Sequence, residues 1–365
     1  MSMPIETVRL LNQIEADPGF IAVLDQAGAS LVVTAAPGQA ICLGAEAGQL
    51  TAAATPFASP FGVAHDGNRL ALTTQRCVEI YALSRPLAAP YPARPNHYDA
   101  ICVPIGQWRT GECRMHEIHL HGPSVIGVNT QFSCISRSDM RHSFEPLWRP
   151  SFISGLMPED RCHLNSFAVD VQGRIRYATA FAETDAPRGY RDLPLASGVI
   201  IDVLQNKIIG KGLGMPHSVR LYDGMIHVLD SASGALWRLD PQSGAAEEIV
   251  RLPGFTRGLC RLGNILMIGL SPLRDTAKAR NLPVFATGEV FHPGIAAVDL
   301  GSGQVVGMLG LPPSLNEVFD IATVPGVRRL HIQDPAVDHL TAIETPNGGY
   351  WMSIEERKQS NDIRA

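Results

Sequence analysis

The chain has 365 residues, 45% of them hydrophobic and 18% charged, with a formal net charge of -5. That balance suits a soluble globular protein with a sizeable core, and no run of Lys or Arg supplies the basic stripe that nucleic-acid binding leaves. No apolar segment reaches the ~18 residues of a membrane span, and the first twenty residues, with Glu6, Glu15 and Asp17, lack the pattern of a signal peptide.

The seven cysteines are scattered without CxxC spacing, which predicts free thiols in a reducing, cytoplasmic setting. In chain order, the first fifteen residues predict a short helix or a closing strand. Strand signals then dominate from about residue 20 into the 330s. Phe61–Thr74 reads as strand, Asp-Gly hairpin, strand. The same design recurs from Ile118, from Phe167, from Ser218 through Asp223-Gly224 to Asp230, from Gly258, and from Ile321 to Ile332. These inner hairpins begin near residues 62, 117, 166, 218, 257 and 320. Their spacing of roughly 50 residues is that of four-stranded propeller blades. Outer hairpins intervene, as at Trp237–Gly244 and Ala297–Gln304.

Two stretches break the repeat. Residues 83–100, rich in Pro, Ala and Arg, read as a loop between outer strands, and residues 272–292 include a short helix candidate at Asp275–Arg280. The tail from Glu355 is polar. No linker divides the chain, so residues 1–365 are predicted to form one all-β domain, a six-bladed β-propeller of four-stranded antiparallel blades, with its core at about 20–340.

Several phrases carry a family resemblance. They are Asn129–Cys134, Trp148-Arg149-Pro150, Glu159–Asn165, Met215–Ser218, Pro253–Leu259 and Glu317–Asp320. On these the chain resembles an uncharacterised bacterial family of six-bladed β-propeller proteins, over most of residues 60–330. The resemblance implies the fold and brings no reaction with it. The chain departs from the family pattern at Glu117, where an aspartate is usual, at Ser166, where a glycine is usual, and at Tyr190, where a tryptophan is usual.

The chemistry is expected at the strand entrances, which converge on the axis of a propeller. His116, His163 and His217 each precede or open a predicted innermost strand. Three imidazoles meeting there would suit a divalent transition metal such as Zn, Fe or Cu, with positions left for water or substrate. No local motif such as HExxH supports that ligand set, and a metal-free polar pocket and histidines that close blades structurally are the competing readings. Glu117 or Asp320 would carry the proton, and Arg257 would anchor an anion. Asn165, Glu183, Tyr190 and Arg191 are the expected substrate contacts. His65, His119 and His121 flank turns and are expected to face solvent.

The function these residues predict is enzymatic. A small polar, anionic molecule would be the partner, with no nucleic acid and no membrane; hydrolase, lyase and isomerase chemistry all remain open, and an oxidative role follows if the metal is redox-active. The alternative is a propeller that binds a peptide or glycan without turnover. The low aromatic content, 6%, weighs against such a platform.

Overall fold

Short alternating runs joined by tight turns return each strand alongside the last, and the result is a set of antiparallel sheets. At Asp223-Gly224 both turn residues have positive φ (52° and 79°), the geometry a two-residue hairpin demands. The structure, a computed structural model, describes residues 5–139, 141–272, 282–286, 292–334 and 339–353.

Six sheets of four or five strands form the blades. Their innermost strands are, in chain order, Val63–His65, Met115–His121, Leu164–Val169, Pro216–Tyr222, Phe255–Leu262 and Glu317–Pro325, numbered here as blades 1 to 6. Each inner strand touches the next, and the sixth touches the first, so the ring is closed. The six-bladed all-β propeller read from the repeat is therefore the observed fold.

Closure mixes the two ends of the chain. Glu317–Pro325 pairs antiparallel with Ala29–Ala36, in register from Ala29 opposite Pro325 to Ala36 opposite Glu317. Gln39–Glu46 and Gln49–Pro56 complete that blade. The hairpin expected at 321–332 is thus not formed. The nearly continuously buried Ala29–Ala36 takes the partner edge, and Leu330–Ile332 instead lies parallel to residues 100–102 of blade 1.

Helices occupy the start of the chain. Pro18–Ala27 is α-helical where strand was expected: Asp17 caps it by accepting from the Phe20 amide (2.7 Å), Pro18 opens the first turn, and Gly28 ends it in the left-handed region. Phe20 and Leu24, one turn apart, bury the inner face of this helix. Ile5–Leu11 forms a second helix, and Glu15–Ala16 adds to the outer edge of blade 5. The loop at 83–100 lies between two outer strands, as expected. The helix candidate at Asp275–Arg280 and the tail from Glu355 fall outside the described residues.

Apolar side chains fill the gaps between blades. Leu31, Val33, Ile41 and Leu43 of blade 6 meet Met267 and Ile295 of blade 5, each such burial contributing about 1.5–3 kcal/mol. Toward the axis the cement is polar. Every inner strand is stitched to its neighbour by a side chain, with Ser166 Oγ accepting from Val219 N (3.0 Å) and Ser218 Oγ from Gly258 N (3.0 Å). Ser271 Oγ accepts from Val318 N (2.9 Å), Asp320 Oδ2 from Val63 N (3.1 Å) and Glu117 Oε1 from Phe167 N (3.4 Å). Thr73 Oγ1 closes the circuit by donating to Met115 O (2.8 Å). These bonds satisfy backbone groups that an inner edge would otherwise leave unpaired.

Candidate functional site

The inner strands of blades 2 to 6 each slip register near their entrance, where one extra residue is accommodated in a bulge. A bulge turns the strand and re-aims the side chains beside it. Here the outcome is one ring system per blade around a single mouth of the axis. Phe319 lies 4.9 Å from Phe61, Phe61 lies 5.1 Å from His116, and His116 lies 5.3 Å from His163, centroid to centroid. Phe181, just after the second strand of blade 3, continues the chain at 4.3 Å from His163 and 5.3 Å from His217. His217 then contacts Phe255 at 5.4 Å. Most of these contacts are edge-on or tilted, the arrangement favoured by ring quadrupoles.

Each imidazole is oriented from behind. Thr130 gives its hydroxyl proton to Leu164 O (2.8 Å), so it accepts from His116 Nδ1 (2.8 Å). His163 Nδ1 donates to the Asp160 carboxylate (3.0 Å). His217 Nδ1 donates toward Met215 O and Ser231 Oγ, both at 2.8 Å. All three rings therefore share the Nδ1–H tautomer, which leaves Nε2 as the lone-pair nitrogen. Burial, reinforced by the field of Arg257, His163 and His217, pushes His116 well below the ordinary imidazole value and keeps it neutral. Tyr190 donates to Asp160 Oδ2 (3.0 Å) and lies 4.8 Å from the His163 ring, so one carboxylate holds both groups.

Below the mouth the axis is filled by charge. Arg257 pairs with Glu317 at 2.6 Å, both buried, and stacks its guanidinium 4.4 Å over Phe319. Deeper still, Arg220 contacts Glu117 at 2.5 Å and Asp320 at 3.5 Å, and its Nε donates to Leu259 O (2.9 Å). Burial pushes Glu117 up to about 7, against the pull of Arg220 and with the help of Asp320. Asp320 is also raised by burial, again opposed by Arg220.

The expected site residues thus separate into groups. His116, His163 and Tyr190 come together at the mouth, while His217 stands beyond Phe181. Among the described residues, no three or more His, Cys, Asp or Glu side chains are arranged to hold a metal ion. Glu117 and Asp320 do not face the mouth with the histidines; they brace the axis and cap the backbone of neighbouring blades. Arg257 is already engaged by Glu317. Asn165 is buried, with Nδ2 lacking a hydrogen-bond partner. Arg191 is exposed and donates to Tyr190 Oη (3.2 Å). Glu183 lies apart, paired with Lys211 on an outer strand of blade 3 (2.6 Å). His65 and His119 do not face open solvent as expected; both are half-buried and line an axial cavity at the other end of the channel, whereas His121 is exposed as expected.

Sequence reasoning missed the aromatic members of the ring and the partners Asp160 and Arg220. The signal was present in part. Phe61, Phe255 and Phe319 hold the same strand-entrance place as the three histidines, and position, more than residue type, identified them.

Residues 18–332 match the family described as a domain of unknown function, DUF4915. No curated protein matches the sequence. Among solved structures, a chain of the nidogen/laminin complex is similar at 14% identity and a TM-score of 0.53, covering 82% of this chain and 99% of that one. A protein of unknown function from Bacteroides caccae is similar at 13% identity and a TM-score of 0.51, covering 81% of this chain and 98% of that one. At these identities the likeness concerns the fold alone. No helix among the described residues is long and apolar enough to cross a membrane.

Proposed function

The chain belongs to the DUF4915 family, and we propose that its ring-lined mouth is an enzyme site for a small polar anion, with His163 as the proton-transfer group. The observation that carries this reading is the Asp160–His163 pair. An imidazole whose Nδ1 is held by a carboxylate presents Nε2 as a base, and the carboxylate stabilises the imidazolium formed when a proton is taken up. His163 keeps a side-chain exposure of 17%, so Nε2 remains within reach of a ligand, whereas Asp160 is 4% exposed and shielded.

The surrounding charge favours an anion. Arg114, one residue before the inner strand of blade 2, makes no ion pair or hydrogen bond among the described residues and adds to the field on His116. Arg191 borders Tyr190. The rings of Phe61, Phe319 and Phe255 add apolar surface to the ring-lined mouth, which helps to exclude water from a proton in transit. Proton abstraction or water activation by His163 fits hydrolase, lyase or isomerase chemistry.

A second reading has a divalent ion at this mouth on His116 and His163, whose rings lie 5.3 Å apart with Nε2 as the lone-pair nitrogen of each. Elemental analysis of untagged protein separates the two. A stoichiometric ion that is lost in His163→Ala assigns metal-assisted chemistry, and a metal-free protein with turnover assigns proton transfer by the pair. The activity itself is tested by a turnover screen of carboxylates, phosphate esters and their neutral analogues. The proposal expects an anionic substrate whose turnover falls at least about 100-fold in His163→Asn. Binding without turnover by any member would assign the mouth to recognition instead.

A further inference from the structure

Tyr190 reaches the Asp160–His163 pair from a separate loop. It sits in the 3-10 turn Gly189–Arg191, after the second strand of blade 3. That turn is tight, since a Cβ on Gly189 would lie 2.5 Å from Thr184 Oγ1. Its loop is fastened to the one that carries Asp160. Arg188 N donates to Glu159 O (3.1 Å), and Arg161 pairs with Asp185 at 2.6 Å. The phenol is thus held against the carboxylate, and its ring lies 4.8 Å from the imidazole.

The Asp160 carboxylate is 4% exposed, and among the described residues it takes two donors. His163 Nδ1 lies 3.0 Å from each carboxylate oxygen, and Tyr190 Oη lies 3.0 Å from Oδ2. The His163 distance exceeds the ~2.7–2.9 Å of a full charge-assisted bond, as expected where two donors share one carboxylate. Burial, with Asp160 beside it, pushes the Tyr190 phenol above its ordinary value, so the phenol keeps its proton for this bond. Arg191 Nε donates to the same phenol oxygen (3.2 Å), which makes the hydroxyl a stronger donor, and its charge also bears on Asp160.

We infer that Tyr190 is a positioning residue: it sets how firmly Asp160 holds the His163 Nδ1–H, and through that bond how His163 presents Nε2 at the mouth. The inference rests on the reading of His163 as the working group of this site. The phenol and the imidazole draw on one carboxylate, so a stronger bond from either weakens the bond from the other. Loss of the Tyr190 hydroxyl gives the whole carboxylate to His163. A more acidic phenol takes a larger share of it. The Tyr190 ring, together with Phe181 at 4.3 Å, packs against the imidazole in both cases.

The test is NMR of the His163 Nδ1–H in the full chain without ligand, which decides the point apart from any turnover. In Tyr190→Phe the proton resonance is expected to move downfield, because its hydrogen bond to Asp160 strengthens. The unmutated chain made with 3-fluorotyrosine, whose phenol is the stronger donor, is expected to move it upfield; this sample also serves should Tyr190→Phe fail to fold. Tyr190 is the tyrosine whose ring contacts His163 among the described residues. His116 and His217, whose Nδ1 atoms are held by Thr130 and by Met215 and Ser231, are expected to move less in both samples. A His163 resonance that stays in place, that moves the same way in both samples, or that moves no more than His116 and His217 would overturn the inference and leave the reading of His163 standing. Opposite shifts in a chain that turns over no anion would uphold the positioning and overturn the enzyme reading.

Discussion

A single carboxylate, Asp160, determines how His163 and Tyr190 are presented, since both hydrogen-bond to it at 3.0 Å. Asp160→Asn keeps the shape and removes the charge that favours the imidazolium, so turnover of an identified substrate is predicted to fall about 10²- to 10⁴-fold with little change in KM. Steady-state kinetics check this. The second residue-scale consequence concerns Arg220. Removing it leaves Glu117 and Asp320 buried together without a counter-charge, and Arg220→Met is predicted to cost about 3–5 kcal/mol in denaturant unfolding. Glu117 also ties stability to pH. Its folded value of about 7 lies above the ordinary carboxyl value near 4.3, so between these limits the folded chain keeps a proton that the unfolded chain has released. Its contribution to stability is full below that window and is lost as pH rises through about 7. Thermal unfolding from pH 5 to pH 8 should show this slope in wild type and a smaller one in Glu117→Gln.

At the scale of elements, the bulged inner strands join packing to site geometry. Gly258 has φ of +78°, and a Cβ there would lie 3.0 Å from the Asp320 backbone, at the seam between blades 5 and 6. Gly258→Ala is therefore predicted to cost at least about 1–2 kcal/mol, read as a lower unfolding midpoint, and to shift the adjacent Arg257. Five of the six inner hairpins were legible from sequence, because alternating runs and tight turns encode local pairing; the sixth, expected at 321–332, was not, because its partner strand Ala29–Ala36 comes from the other end of the sequence. The bulges were not legible. They depend on the opposing strand, and they help to aim Phe319 and Phe255 at the mouth shared with the histidines while Glu117 and Asp320 turn toward the axis. Helix Pro18–Ala27 was missed for a different reason. Its cap, Asp17-Pro18, was readable, but its short apolar run resembles that of a buried strand.

At the scale of the whole molecule, ring closure makes distant sequence segments one structural unit. Glu317–Pro325 and Ala29–Ala36 form a blade together, and each bears on the axial charges through Asp320 and Thr34, whose hydroxyl accepts from the Asp320 amide at 3.0 Å. A chain ending before Glu317 is predicted to lose cooperative unfolding in calorimetry, because blades 1 and 5 would each expose an apolar face. Closure also separates two environments, a ring-lined mouth and a cavity lined by Glu117, Arg220 and Arg261, with a charged plug between them. Histidine side-chain 15N correlation spectra, recorded as carboxylates and phosphate esters are added, test the account most directly, because they report both ends of the axis at once. The account predicts that an anion shifts His163 and His116 and leaves His65 and His119 in place. Anions that move only His65 and His119, or no anion that moves His163 at millimolar concentration, would contradict it.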